Sequence, residues 1–184
     1  MTMRRVEVAW DRWDGAELAH ATHVDITHCH GLKSLPPLPE AKVLCITDCP
    51  QLTAIGACPK LINLAIDECP ALRQLPDGTE HLQELWLDHA ESITHLPASL
   101  PALQLLLAQW CRALTTLPEK ANKLASLTLE ACAVTRIPHY PGLTQLSIEA
   151  CPNLTTLPPF VGLSHLFIEN CPHLPPPRVR GSEA

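Results

Sequence analysis

Seven of the nine cysteines stand at near-constant intervals. Cys29, Cys49, Cys69, Cys111, Cys132, Cys151 and Cys171 follow one another at steps of 20, 20, 42, 21, 19 and 20 along the chain. The step of 42 is two periods of 21, and Ala90 fills the missing slot. Apolar residues keep step with the slot. Five and three places before it stand Val24/Ile26, Leu44/Ile46, Leu64/Ile66, Leu85/Leu87, Leu106/Ala108, Leu127/Leu129, Leu146/Ile148 and Leu166/Ile168. Three places after it come Leu32, Leu52, Leu72, Ile93, Leu114, Leu154 and Leu174. Three further on are Leu35, Ile55, Leu75, Leu96, Leu117 and Leu157. The sixth unit is one residue short there, so Val134 and Ile137 take those two places. Such self-similarity restricts the chain to architectures in which one small unit stacks on copies of itself.

The pattern L-x-x-L-x-[IL]-x-x-[NC]-x-x-L, repeated at that short period, is the leucine-rich-repeat signature. The L-x-[IL] segment alternates with period two, so it forms a short strand with one buried face. One strand cannot bury that face alone, and stacked coils bury it against each other. The return path is too short for a long helix. Segments such as Leu35-Pro36-Pro37-Leu38-Pro39 and Leu157-Pro158-Pro159 favour extended or polyproline backbone. The expected fold is a curved right-handed leucine-rich-repeat solenoid, α/β in class but mostly β. A parallel sheet lines its concave face, and extended, turn-like or short 3₁₀ structure its convex side.

Residues 1–17 fall outside the period and read as an N-terminal cap. Val6, Val8 and Trp10 alternate, which suits a strand over the first coil, and Trp13 helps to close it. Residues 18–175 hold eight repeats, and residues 176–184 read as a flexible polar tail. No C-terminal cap is evident.

Composition supports the repeat and excludes other classes. Leucine supplies 31 of 184 residues and aromatics only 4%. Nineteen prolines exclude a helical bundle, because proline removes a donor and clashes in a helix interior. A net charge of −6 argues against a nucleic-acid partner held through phosphates. No apolar run reaches membrane-spanning length. The N-terminus has two arginines but no apolar segment behind them, so no secretory signal is read. The expected location is the cytoplasm, or a host cell reached by a signal-peptide-independent route.

The stretches LTTLP (114–118 and 154–158), SLPPLPEAKVLCI (34–46) and HLPASLPALQLL (95–106) resemble bacterial short leucine-rich repeats. These occur in type III secreted effectors of the IpaH and YopM families. The resemblance implies a protein that acts in host cells and binds protein partners through its repeats. In ligase members a separate C-terminal domain carries a catalytic cysteine. Only 13 residues follow Cys171, and nothing here resembles that domain. The effectors have asparagine at the slot. This chain has cysteine, four times as Cys-Pro (49, 69, 151, 171), a form similar to repeats of plant immune receptors.

The cysteine column reads as small buried hydrophobes with weak donors. A disulfide framework is the rival, but side chains stacked in parallel point the same way rather than at each other. Cys45, between Leu44 and Ile46, should face outward and be reactive, while Cys58 on the return path is ambiguous. His20, His23, His28 and His30 cluster around Cys29. They match no recognised zinc spacing and read as solvated polar residues. No metal ligand and no cofactor is assigned.

Alternation selects the outward side chains. The central column is Asp25, Cys45, Ala65, Trp86, Leu107, Thr128, Ser147 and Phe167. The column before it is His23, Val43, Asn63, Glu84, Leu105, Ser126, Gln145 and His165. The column after it is Thr27, Thr47, Asp67, Asp88, Gln109, Glu130, Glu149 and Glu169. Trp86, Leu105 and Leu107 should form an exposed apolar patch, with Trp110 at its edge. Such patches mark interaction sites. Self-association and surface drift are the alternative readings. Asp67, Asp88, Glu130, Glu149 and Glu169 form an acidic stripe, which either solubilises the face or steers a basic partner.

No G-x-S-x-G, P-loop, G-x-G-x-x-G or H-E-x-x-H occurs. The expected function is non-catalytic protein binding on the concave face, through Trp86, Leu105, Leu107, Trp110, Phe167 and the acidic stripe. The chain is expected to be a monomer or weakly self-associating, with no nucleic-acid or membrane partner. The alternatives are a recognition fragment or adaptor of a larger signalling or ubiquitin-ligase protein, or a scaffold with no dedicated ligand.

Overall fold

The computed structural model describes residues 5–9 and 18–175. Trp10, Trp13 and the tail 176–184 lie outside the described residues. Nine strands form one parallel sheet: β1 (Arg5–Ala9), β2 (His23–Thr27), β4 (Val43–Thr47), β6 (Asn63–Asp67), β7 (Glu84–Asp88), β8 (Leu105–Gln109), β9 (Ser126–Glu130), β10 (Gln145–Glu149) and β11 (His165–Glu169). They are ordered as in the chain, with β3 (Ser34–Leu35) and β5 (Ala54–Ile55) paired in a small sheet on the return side. Among the described residues helix is almost absent. The strands from β2 to β11 in the large sheet wind a β-solenoid of about seven turns. Among the described residues no helix is long and apolar enough to cross a membrane.

The period sets the register. Val24 stands opposite Leu44, then Leu64, Leu85, Leu106, Leu127, Leu146 and Leu166. The second inward line runs in step from Ile26 to Ile168. Up to Leu146 and Ile148 no residue of either line is more than 1% exposed. Burying one such side chain stabilises by about 1.5–3 kcal/mol. The strand expected from Val6 and Val8 is β1, which pairs Val6 with Val24 and Val8 with Ile26.

A left-handed residue ends every strand from β2 onward on this sheet. His28, Asp48, Glu68, His89, Trp110, Ala131, Ala150 and Asn170 all have φ between 48° and 56°, and none is glycine. This conformation disfavours residues with a Cβ by about 1–2 kcal/mol. Here the ladder holds it: the Asp48 amide donates to Asp67 O at 3.1 Å and the Trp110 amide to Glu130 O at 2.9 Å. The slot comes next. Each slot thiol donates to the carbonyl two residues earlier, from Thr27 (3.5 Å) to Glu169 (3.3 Å). All nine cysteines carry thiols rather than disulfides. Cys45 is half-buried on the outer face.

Two further columns fill the return side. Leu18, Leu38, Cys58, Thr79, Leu100, Ala121, Tyr140 and Phe160 form one, and Ala21, Ala41, Leu61, Leu82, Leu103, Leu124, Leu143 and Leu163 the other. A turn links them in each coil up to Tyr140 and Leu143, as where the Leu61 amide donates to Cys58 O at 3.1 Å. Cys58 is therefore a core residue, and burial pushes its thiol up to about 11. Where the column shrinks to Ala121, Tyr140 reaches across and donates its hydroxyl to Pro118 O at 2.8 Å. Gly56 marks a close approach between coils, since a Cβ there would collide with Pro37 N.

The last coil departs from the pattern. Leu166 lies opposite the buried Leu146 yet is 48% exposed. The sequence assigns it to the core like its predecessors, but among the described residues no strand covers its far side.

Candidate functional site

The outer face of the large sheet carries the three columns expected from alternation. Strand pairing places Cys45, Ala65, Trp86, Leu107, Thr128, Ser147 and Phe167 side by side in order. Trp86 is 43% exposed and Phe167 47%. Leu105 and Leu107 are half-buried, so the apolar patch is narrower than expected and centres on the Trp86 indole. Asn63 braces its flank by donating to Glu84 Oε2 at 3.0 Å.

Large and small residues alternate in blocks along the central column. Thr128 and Ser147 lie low between Leu107 and Phe167. A shallow groove of about 500 Å³ opens there, lined by Ser126, Thr128, Gln145, Ser147, His165 and Phe167 among others. Trp86 and Phe167 are four strands apart, about 19 Å at ordinary strand spacing.

Trp110 is 37% exposed. It occupies a left-handed turn position beyond the end of β8. Its ring stacks on His89 from the preceding coil, with centroids 5.9 Å apart and planes 11° from parallel. The Arg112 guanidinium lies 5.5 Å from the Trp110 centroid, within cation–π range. Beside this group the small turn residues Ala131 and Ala150 leave a second groove of about 380 Å³, closed by Pro152 and Asn153. A third cavity, of about 280 Å³, lies on the return side between Gln74 and Ser99, away from the outer face.

The acidic residues form a column along one flank. Asp67 stands opposite Asp88, and Glu130 opposite Glu149, which in turn faces Glu169. Gln109 interrupts the column and donates to Glu130 Oε2 at 2.7 Å. Like charges directly opposite are destabilising, so these contacts oppose the fold.

Asp67, Asp88 and His89 each offer a ligand atom, all within 4.8 Å of one another. His89 Nδ1 lies 2.7 Å from Asp88 Oδ1. That oxygen is shielded from solvent, and the approach of the imidazole does not have hydrogen-bond geometry. Among the described residues this is the trio placed to hold a divalent cation. Sequence alone assigns no metal here, because His89 lies past the strand, where alternation no longer reports direction. His20, His23, His28 and His30 form no such group with Cys29. His30 instead meets Asp48, with Nε2 2.7 Å from Oδ2.

His89 and Arg112 thus join the face although no sequence pattern points to them. The left-handed turn swings His89 toward Trp110, and a glycine signal that would reveal such a turn is missing from every unit. No family model matches the chain, and no curated protein or solved structure matches it significantly.

Proposed function

We propose that this chain is a non-catalytic leucine-rich-repeat module that binds a partner protein on the outer, concave face of its large sheet. The observation that carries this reading is Trp86: a half-exposed indole in mid-sheet, flanked in register by Ala65 and Leu107. Leaving it in water forgoes burial of a large apolar side chain, and such aromatics anchor interfaces. The backbone ladder fixes the outer columns before binding, so little ordering entropy opposes association. The acidic column favours a partner with a basic rim, which it would steer on approach. Resemblance to secreted effectors favours a host protein as that partner.

The test is affinity capture followed by calorimetry with the purified partner. Trp86→Ala combined with Leu107→Ala should weaken binding at least about tenfold, with the circular dichroism spectrum unchanged. Equal affinity in the double variant would sink this reading.

A further inference from the structure

We propose that two copies of this chain pair antiparallel through β11, about a twofold axis that passes through Phe167 along the sheet normal. Three observations converge on this strand.

The first is an open edge. β11 pairs with β10 alone among the described residues. Its other edge presents backbone donors and acceptors, a template for another strand. The second is an open core. Leu166 points inward by register but is 48% exposed, and Leu163, Ile168, Cys171 and Leu174 are only half-buried. At the opposite end β1 closes the first coil, so among the described residues the uncovered cross-section belongs to the β11 end.

The third is self-complementarity. The strand reads His165-Leu166-Phe167-Ile168-Glu169. Turned antiparallel about Phe167, it sets His165 against Glu169 of the second copy, Leu166 against Ile168, and Phe167 against itself. The two inward residues then complete each other's core, while the two rings remain on the outer face, where aromatic cross-strand pairs are favourable. Glu169, stacked on Glu149 and Glu130, gains an imidazole neighbour in place of another carboxylate. The competing arrangement continues the parallel sheet head to tail, β11 against β1. It leaves an edge at every step and grows into a filament instead of closing. Closure selects the antiparallel pair.

The experiment is sedimentation velocity on the full chain across micromolar concentrations. A closed species of twice 20.2 kDa is expected. Phe167→Asp puts two carboxylates on the axis and should give a folded monomer. Glu169→Lys alone should raise the dimer dissociation constant at least about tenfold, and the exchange of His165→Glu with Glu169→His should restore it. As a second readout, Phe167→Cys should form a covalent dimer on mild oxidation, whereas Ser147→Cys on β10 should not. A wild-type monomer, with the C-terminal segment or nothing over the edge, overturns the proposal. So does a polymer of growing length, or a dimer indifferent to Phe167→Asp.

Discussion

Trp86 and Leu107 stand directly opposite each other on neighbouring parallel strands, Trp86 half-exposed and Leu107 half-buried beside it. One residue away, Leu85 and Leu106 stand opposite each other on the inner face, fully buried. Adjacent positions in one strand thus serve opposite ends. Trp86→Ala should change unfolding free energy by less than about 1 kcal/mol, since little packing is lost. Leu106→Ala should cost about 2–5 kcal/mol by opening a cavity between coils. Urea denaturation of both variants checks the contrast, and a loss at Trp86 as large as at Leu106 would contradict it.

The Asp67–Asp88 contact should be a point of repulsion. Asp67→Asn removes one charge and leaves the Asp88–His89 contact in place. Stability at pH 8 and low salt should rise by about 0.5–1 kcal/mol. The gain should shrink in 1 M salt, where screening acts over about 3 Å. Thermal unfolding at two salt concentrations measures both.

Alkaline pH should weaken the fold through the core thiols. Burial pushes Cys58 and Cys151 from the ordinary 9.0 up to about 11 in the folded chain. A thiol with a raised folded value stabilises fully below the unfolded value, because both states are then protonated. As pH climbs from 9.0 toward 11 the unfolded chain ionises first, and that stability is lost. Each group should remove about 2 kcal/mol across this window, taking about 1.36 kcal/mol per unit. Denaturant midpoints between pH 8 and 11 should fall, and Cys58→Ala should flatten the decline. A flat wild-type profile would rule this out.

The left-handed turns make a different kind of prediction. Ala150 sits at φ 49°, where a Cβ carries a steric penalty that glycine lacks. Ala150→Gly should therefore stabilise by about 0.5–1 kcal/mol, the Cβ penalty less the extra unfolded-state entropy of glycine. The same substitution at Ala125, outside such a turn, should destabilise. Equal effects at the two sites would show that the turn is not strained.

What can be read from the sequence follows from how uniform each column is. Leu44, Leu64 and Leu85 repeat one residue type at steps of 20 and 21, so the inward lines and the three outer columns are visible at once. The return column from Leu18 to Phe160 is not, because it passes through Leu, Cys, Thr, Ala and Tyr. Its members share a position, not a chemistry. Cys58 is ambiguous in the sequence for that reason. Leu166 misleads for the opposite one: its local pattern equals that of Leu146, and among the described residues only the lack of a further strand distinguishes them. The stacking of His89 on Trp110 depends on two turns one coil apart and a backbone region that no glycine announces.

Strand starts in the large sheet from His23 to His165 advance by 20, 20, 21, 21, 21, 19 and 20 positions, yet every column stays in line. The irregularity is absorbed wholly on the return side. The outer face therefore behaves as a ruler whose graduations hold still while material is added or removed behind it. A residue inserted between Pro118 and Ala121 would reshape one loop and shift no mark on the scale. Change in loop length and change in what the face displays are mechanically decoupled, so each can be altered without disturbing the other.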